Sequence, residues 1–210
     1  MSQWNGILRE DSYSPEEPDD TVIEFAVLLK KKNNHARVLD LGCGAGRHLV
    51  YAARQGFEAY GMDISETGLN LTKKRLRSQK LDAHLVKSDM KKLPYIDSCF
   101  DAVICLHTVY HQELVEIRGA ICEINRVLSK KGYLLMNFLS RRTYSCGKGV
   151  RVEGGTFMEQ EGVEKGVLHH FVDREEIESL LGSFKIVDLK MKESEVDGKL
   201  RSRWIVLAMG

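Results

Sequence analysis

From Ala36 onward, short apolar runs alternate with longer amphipathic ones. The runs 37–41, 57–62, 83–87, 101–106 and 133–139 predict strands, with helical segments after all but the third and the last. That alternation implies a parallel sheet covered on both faces, and right-handed crossovers make it doubly wound. Ahead of it, Val22, Phe25, Ala26 and Leu29 repeat at helical spacing and predict a helix with Asp20 or Thr21 as N-cap, running to about Lys32. The first twenty residues are polar, contain Pro15 and Pro18, and read as an arm.

The rhythm breaks after Leu139. Residues 140–166 hold six of the chain's 18 glycines, and a connection longer than the usual ~4–6 residues marks a lid or binding loop. A helix over 173–181 follows, with Asp173 as N-cap, and 184–191 and 200–209 read as two strands joined near Asp197-Gly198, a tight-turn dipeptide. The expectation is a single α/β domain over 1–210, with 140–172 as a substrate-cleft insertion.

Composition narrows the function classes. With 31 Lys+Arg against 30 Asp+Glu and a net charge of +1, the basic stripe of a general nucleic-acid binder is missing. The longest apolar run, Trp204 to Met209, is far too short for a membrane span, and the acidic N-terminal stretch lacks the pattern of an export signal. Five cysteines without a C-x-x-C pair suggest reduced thiols and a cytoplasmic setting.

The most informative stretch is VLDLGCGAGR, residues 38–47, a strand followed by Gly42, Gly44 and Gly46 and then a helix. Glycines there allow the backbone turns and a close ligand approach. A dinucleotide fingerprint would place its third glycine at 47 or 49, where Arg47 and Leu49 stand, so NAD and an oxidoreductase are the weaker reading. Asp40, an acid just before the loop, suits a cofactor bearing an ammonium group.

In these features the chain resembles the class I S-adenosylmethionine-dependent methyltransferases, whose first motif is a strand, an acid and G-x-G-x-G. Asp63 in GMDIS, Asp89-Met90 after the third strand, FDAVICLH over 100–107 and KGYLLMNF over 131–138 follow in the family's order. The resemblance implies a Rossmann-like, seven-stranded sheet, mostly parallel with an antiparallel C-terminal strand. It also implies S-adenosylmethionine as cofactor and S-adenosylhomocysteine as product. By the same resemblance Asp40, Gly42, Gly44, Gly46, Asp63, Ile64, Asp89, Met90 and Leu106 line the cofactor site, with Asp63 on the ribose hydroxyls and Asp89 and Met90 at the adenine. Cys43 reads as a small packing residue.

The acceptor side is less defined. The segment after the fourth strand lacks the Asn-Pro-Pro of amino-directed enzymes, and no proline precedes a cysteine. His107, Tyr110 and His111 fall where the family places acceptor-facing residues, and a histidine with a pKa near ~6.5 is a ready general base. If helical, His107 and His111 would share a face at i, i+4, a spacing also used by metal ligands, although no carboxylate accompanies them and no metal is expected. Arg141, Arg142, Lys148 and Arg151 form a cationic stretch beside Tyr144, with His169 and His170 expected across the cleft, so Arg141, Tyr144, His169 and His170 are the substrate candidates. Trp4 or Tyr13 could fold over the cofactor.

The compact layout resembles the small-molecule branch of the family, including tellurite-resistance and thiol methyltransferase-like members. A small-molecule acceptor and a monomer or homodimer are expected, without membrane or nucleic-acid partners. A protein or RNA methyltransferase working with a partner, and a non-catalytic cofactor-binding module, stay open as alternatives.

Overall fold

The computed structural model describes residues 2–210. The short helix α1 (Trp4–Ile7) and a 3-10 turn (Asp11–Tyr13) precede α2 (Asp20–Lys30). Then come β1 (Arg37–Leu41), α3 (Arg47–Arg54), β2 (Glu58–Asp63), α4 (Glu66–Ser78), β3 (His84–Lys87), β4 (Phe100–Cys105), α5 (Leu114–Val127) and β5 (Leu128–Ser140). The rest is β6 (Val150–Glu153), β7 (Thr156–Met158), β8 (Leu168–Val172), α6 (Arg174–Leu180), β9 (Lys185–Val196) and β10 (Lys199–Met209).

Seven strands follow the order β3-β2-β1-β4-β5-β10-β9, with β10 antiparallel to both its neighbours and the other pairs on this path parallel. This is the expected doubly wound sheet with its antiparallel C-terminal strand. Alternation along β4 shows why two layers form. Val103 and Cys105 pack in the core beneath α5, whereas Ala102 and Ile104 pack with Phe25, Leu29 and Leu49 of α2 and α3 on the opposite face. Each large apolar side chain so buried is worth roughly 1.5–3 kcal/mol.

The insertion departs from expectation. Instead of an open loop it holds β6, β7 and β8, which bring the sheet to ten strands. β8 extends the end of β5 in parallel through Leu139↔Phe171 and Ser140↔Val172. Gly154 and Gly155 lie at the turn between β6 and β7, and a Cβ on Gly155 would stand 2.4 Å from the Phe171 carbonyl oxygen. The glycines that obscured the strands therefore mark turns and two close backbone approaches, the other being Gly149 against the Met158 carbonyl.

Local capping explains several helix starts. Ser65 Oγ accepts from Gly68 N at 3.1 Å at the head of α4, and Asp173 caps α6 through Glu176 N at 3.0 Å. At α2 the cap position is Asp19, ahead of the expected Asp20 or Thr21, and its side chain makes no capping bond.

The N-terminal arm is fastened down. Arg75 donates to the carbonyls of Ser14 (2.5 Å), Pro15 (2.8 Å) and Ala45 (2.9 Å), while Asn5 Oδ1 accepts from Ser65 Oγ (2.9 Å) and Thr67 N (3.2 Å). Among the described residues no helix is long and apolar enough to cross a membrane.

Candidate active site

At the carboxyl ends of β1, β2 and β4 lies a cavity of about 920 Å³, walled also by the arm, the insertion and β10. Its first half is built by the glycine loop. Gly42, Gly44 and Gly46 all adopt positive φ, and a Cβ on Gly46 (φ 83) would stand 2.5 Å from Thr72 Oγ1. Gly42 N and Cys43 N donate to the Met62 carbonyl at 2.8 and 3.0 Å, tying the loop to the end of β2.

Asp63 stands at that end. Its Oδ2 accepts from Gly44 N and its Oδ1 from Ser65 N, each at 2.7 Å, and the carboxylate borders the cavity. Each oxygen keeps acceptor capacity for a further donor. Burial raises the Asp63 pKa, partly offset by the backbone N–H groups of Ser65 and Gly44. Ile64, Asp89, Met90 and Leu106 complete this end; Asp89 pairs with Lys91 at 3.4 Å, and Met90 Sδ accepts from Gln112 Nε2 at 3.0 Å. A fixed carboxylate with free acceptor capacity, apolar faces nearby and a loop with no side chains in the way fit a nucleoside bearing a ribose diol.

Asp40 is placed differently from expectation. It lies buried and does not line the cavity, because strand alternation turns it into the layer beneath α3. Its Oδ2 has no hydrogen-bond partner, and burial, reinforced by the charge of Asp63, pushes its pKa up to about 7. Burial likewise pushes the Cys43 thiol up, in keeping with a packing role.

The second half begins at His107, which follows β4 in a left-handed backbone conformation, φ 58. The segment 107–112 is a series of bends and turns, so the helical i, i+4 arrangement does not form. His107 N donates to Asn137 Oδ1 at 2.8 Å; its Nε2 lies 2.8 Å from Asp19 Oδ2, and its Nδ1 lies 3.3 Å from Asn137 Nδ2 and 3.4 Å from the Tyr110 hydroxyl. With Asn137 anchored through its oxygen, its amide donates to Nδ1, which leaves the His107 proton on Nε2 facing Asp19. Asp19 also meets Lys192 at 3.1 Å and Arg47 at 3.4 Å, and its pKa is lowered chiefly by the His107 hydrogen bond. Burial lowers the pKa of His107.

His111 donates from Nδ1 to the Leu168 carbonyl at 3.0 Å and packs edge-on or tilted against Trp4, Tyr110 and His169, with ring centroids 4.8, 4.5 and 4.9 Å away. Burial brings its pKa down to about 3. Tyr144 and His169 reach the cavity, His169 pairing with Glu164 at 3.2 Å.

Two substrate candidates do not reach it. Arg141 pairs with Asp173 (2.5 Å) and Glu176 (3.1 Å), and His170 is sealed between Thr156 (2.7 Å) and Glu176 (3.0 Å). The acids at the start of α6 draw both away from the cleft. Lys148 and Arg151 also lie outside the lining, whereas Trp4 and Tyr13 from the arm belong to it.

Sequence reasoning passed over Asp19, Glu164, Arg201 and Arg203, all of which line the cavity. A signal existed for the arginines: in LRSRW they alternate on one face of a strand. Among the described residues no cluster of three or more His, Cys, Asp or Glu is arranged to hold a metal ion.

Residues 39–136 match the family model of the methyltransferase domain. A S-adenosylmethionine-dependent methyltransferase of Methanosarcina mazei superposes with a TM-score of 0.75 at 22% identity, over 87% of this chain and 96% of that one. Magnesium protoporphyrin IX methyltransferase of Synechocystis PCC 6803, solved with S-adenosylmethionine bound, gives 0.66 at 20% identity, over 90% and 78%. The matched stretch lies within the fold these methyltransferases share. The Synechocystis enzyme holds S-adenosylmethionine, and the carboxylate, glycine loop and apolar faces described above have the chemistry to hold a cofactor of that kind. Demethylmenaquinone methyltransferase of Tropheryma whipplei is 35% identical over 103 residues, 47% of this chain and 40% of its own. The chain spans about half or less of the length of such curated relatives.

Proposed function

We propose that the protein transfers the methyl group of S-adenosylmethionine to a small-molecule acceptor. The observation that carries this reading is one continuous cavity whose first half is the methyltransferase cradle and whose second half is walled by aromatic and charged side chains. The matched Synechocystis and Tropheryma proteins, both named for small-molecule acceptors, support the size assigned to the acceptor.

In this reading Asp63 takes the ribose hydroxyls, the glycine loop lies along the amino-acid end, and Met90, Ile64 and Leu106 enclose the adenine. The bound cofactor supplies a methyl on a cationic sulfonium, already activated for in-line displacement, so the chain has mainly to position the acceptor and exclude water. The Tyr110 hydroxyl, His107 and Asp19 form a line along which an acceptor proton can leave. Tyr110 oxygen takes that proton as its own passes to His107 Nδ1, from which the Asn137 amide must turn away, and Asp19 balances the imidazolium. His111, with a pKa of about 3, stays neutral and serves as a hydrogen-bonding wall rather than a base. A thiol acceptor would need no such line, so the arrangement favours an acceptor atom with a proton to lose.

The test incubates the protein and methyl-labelled S-adenosylmethionine with cell extract and separates products by size, with Asp63→Ala as control. Label in the small-molecule fraction, absent with the variant, is expected; label on protein or RNA overturns the acceptor assignment.

A further inference from the structure

Six acidic and four basic side chains line the cavity, and the basic ones are not all paired. Four basic side chains line it: Arg47, Lys91, Arg201 and Arg203. Arg47 is paired with Asp19 at 3.4 Å, and Lys91 with Glu116 at 2.9 Å and Asp89 at 3.4 Å. Arg201 and Arg203 have no carboxylate within 4.0 Å among the described residues, and Arg203 Nε is buried without a hydrogen-bond partner.

Two acids of the same chamber are held by other groups. Glu164 holds His169 at 3.2 Å, and Glu159 Oε1 accepts the backbone N–H groups of Gln160 (2.9 Å) and Glu161 (3.3 Å). Arg201 and Arg203 sit two residues apart on β10 and so share a strand face, with Arg203 opposite Leu139 of β5 at the chamber wall. Around them stand the rings of Tyr13, Tyr110, Tyr144 and His169, Tyr13 lying close to Arg201 and Tyr144.

The geometry points to an acceptor that is a flat, unsaturated carboxylic acid, its carboxylate held by Arg201 and Arg203 and its ring system stacked among the tyrosines. A guanidinium matches a carboxylate with two parallel hydrogen bonds, and stacks on aromatic faces as well. The nearby Glu159 and Glu164 set the charge: they repel a phosphate dianion more strongly than a monoanion. The inference rests on the methyl-transfer reading and names the substrate class of that same site.

The experiment separates the two. A small-molecule cell extract is first fractionated on an anion exchanger at pH 7, and each fraction is then offered to the protein with methyl-labelled S-adenosylmethionine, so the charge of the acceptor and not of the product is scored. Acceptor activity is expected in the retained fractions at the monoanion position. Arg201→Gln and Arg203→Gln should each raise KM for that fraction at least tenfold with S-adenosylhomocysteine affinity unchanged. Should Arg203→Gln fail to fold, Arg201→Gln, at an exposed position, decides alone. Activity in the flow-through or at the dianion position, or an unaltered KM in the variants, overturns the carboxylate assignment and leaves methyl transfer standing. No labelled small molecule from any fraction, while the wild type still binds S-adenosylhomocysteine, overturns the methyl-transfer reading and this one with it.

Discussion

The two halves of the cavity are built by opposite strategies. The half proposed to hold the cofactor comes from short segments at three strand ends: the loop after β1, Asp63 at the end of β2 and Leu106 after β4. Its contacts are largely backbone, as in the Gly44 and Ser65 N–H groups that fix Asp63. The acceptor half is assembled from side chains far apart in sequence; Asp19 meets His107 across 88 positions, and β10 supplies both free arginines. Backbone geometry is dictated locally by a short motif, whereas side-chain convergence depends on how distant segments pack.

The largest effect should come from the cofactor half. Asp63→Ala removes two charge-assisted acceptors, each worth roughly 1.5 kcal/mol or more, so affinity for S-adenosylhomocysteine measured by calorimetry should fall about a hundredfold. Unchanged affinity would remove Asp63 from the site and erase the contrast between the halves.

Asp40 tests what lies beneath the loop. Because its folded pKa is raised from 3.8 to about 7, the folded chain keeps a proton that the unfolded chain has released across that window. Its contribution is present below pH 3.8 and lost as pH rises through about 7. Relative to wild type, Asp40→Asn should therefore gain stability between pH 5 and pH 8, on the order of 2 kcal/mol, in denaturant melts without cofactor. A gap that does not change with pH would mean that the carboxyl is solvated or paired.

Smaller still is the effect expected at the hinge between the halves. Asp19→Asn should lower kcat about tenfold while leaving S-adenosylhomocysteine affinity within twofold, since the proton line is weakened and the cradle is untouched. Equal loss of cofactor affinity would show that Asp19 acts by holding Arg47 and the arm instead. At the bottom of the scale, Arg151→Gln should leave the KM of the acceptor unaltered, because its side chain lies outside the cavity lining. A raised KM would restore the insertion's cationic stretch as the anion site.

Much of the sheet was legible in the pattern of apolar runs, and the seven-strand path with its antiparallel end emerges as expected. Hidden were β6 to β8, whose short alternating segments are broken up by glycines and whose edges are completed only by pairing with β5. At the site, Gly42, Gly44, Gly46, Asp63, Ile64, Asp89, Met90 and Leu106 border the cavity, while Asp40 is turned beneath it. Tyr144 and His169 reach the second chamber and Arg141 and His170 do not, a division that no spacing rule contains.

By itself the amino-acid sequence determined the seven-strand path with its crossover helices and the glycine loop, because these follow from periodicity and from glycines that permit one particular turn. Only the tertiary structure decided which charges face the cavity. Arg141 was neutralised by acids of a later helix, and Arg201 and Arg203 were left without ion pairs because the hairpin carries them to a wall where no carboxylate comes within 4.0 Å of them. Pairing between charges is a matter of distance in space, and distance in space is what a linear sequence does not state.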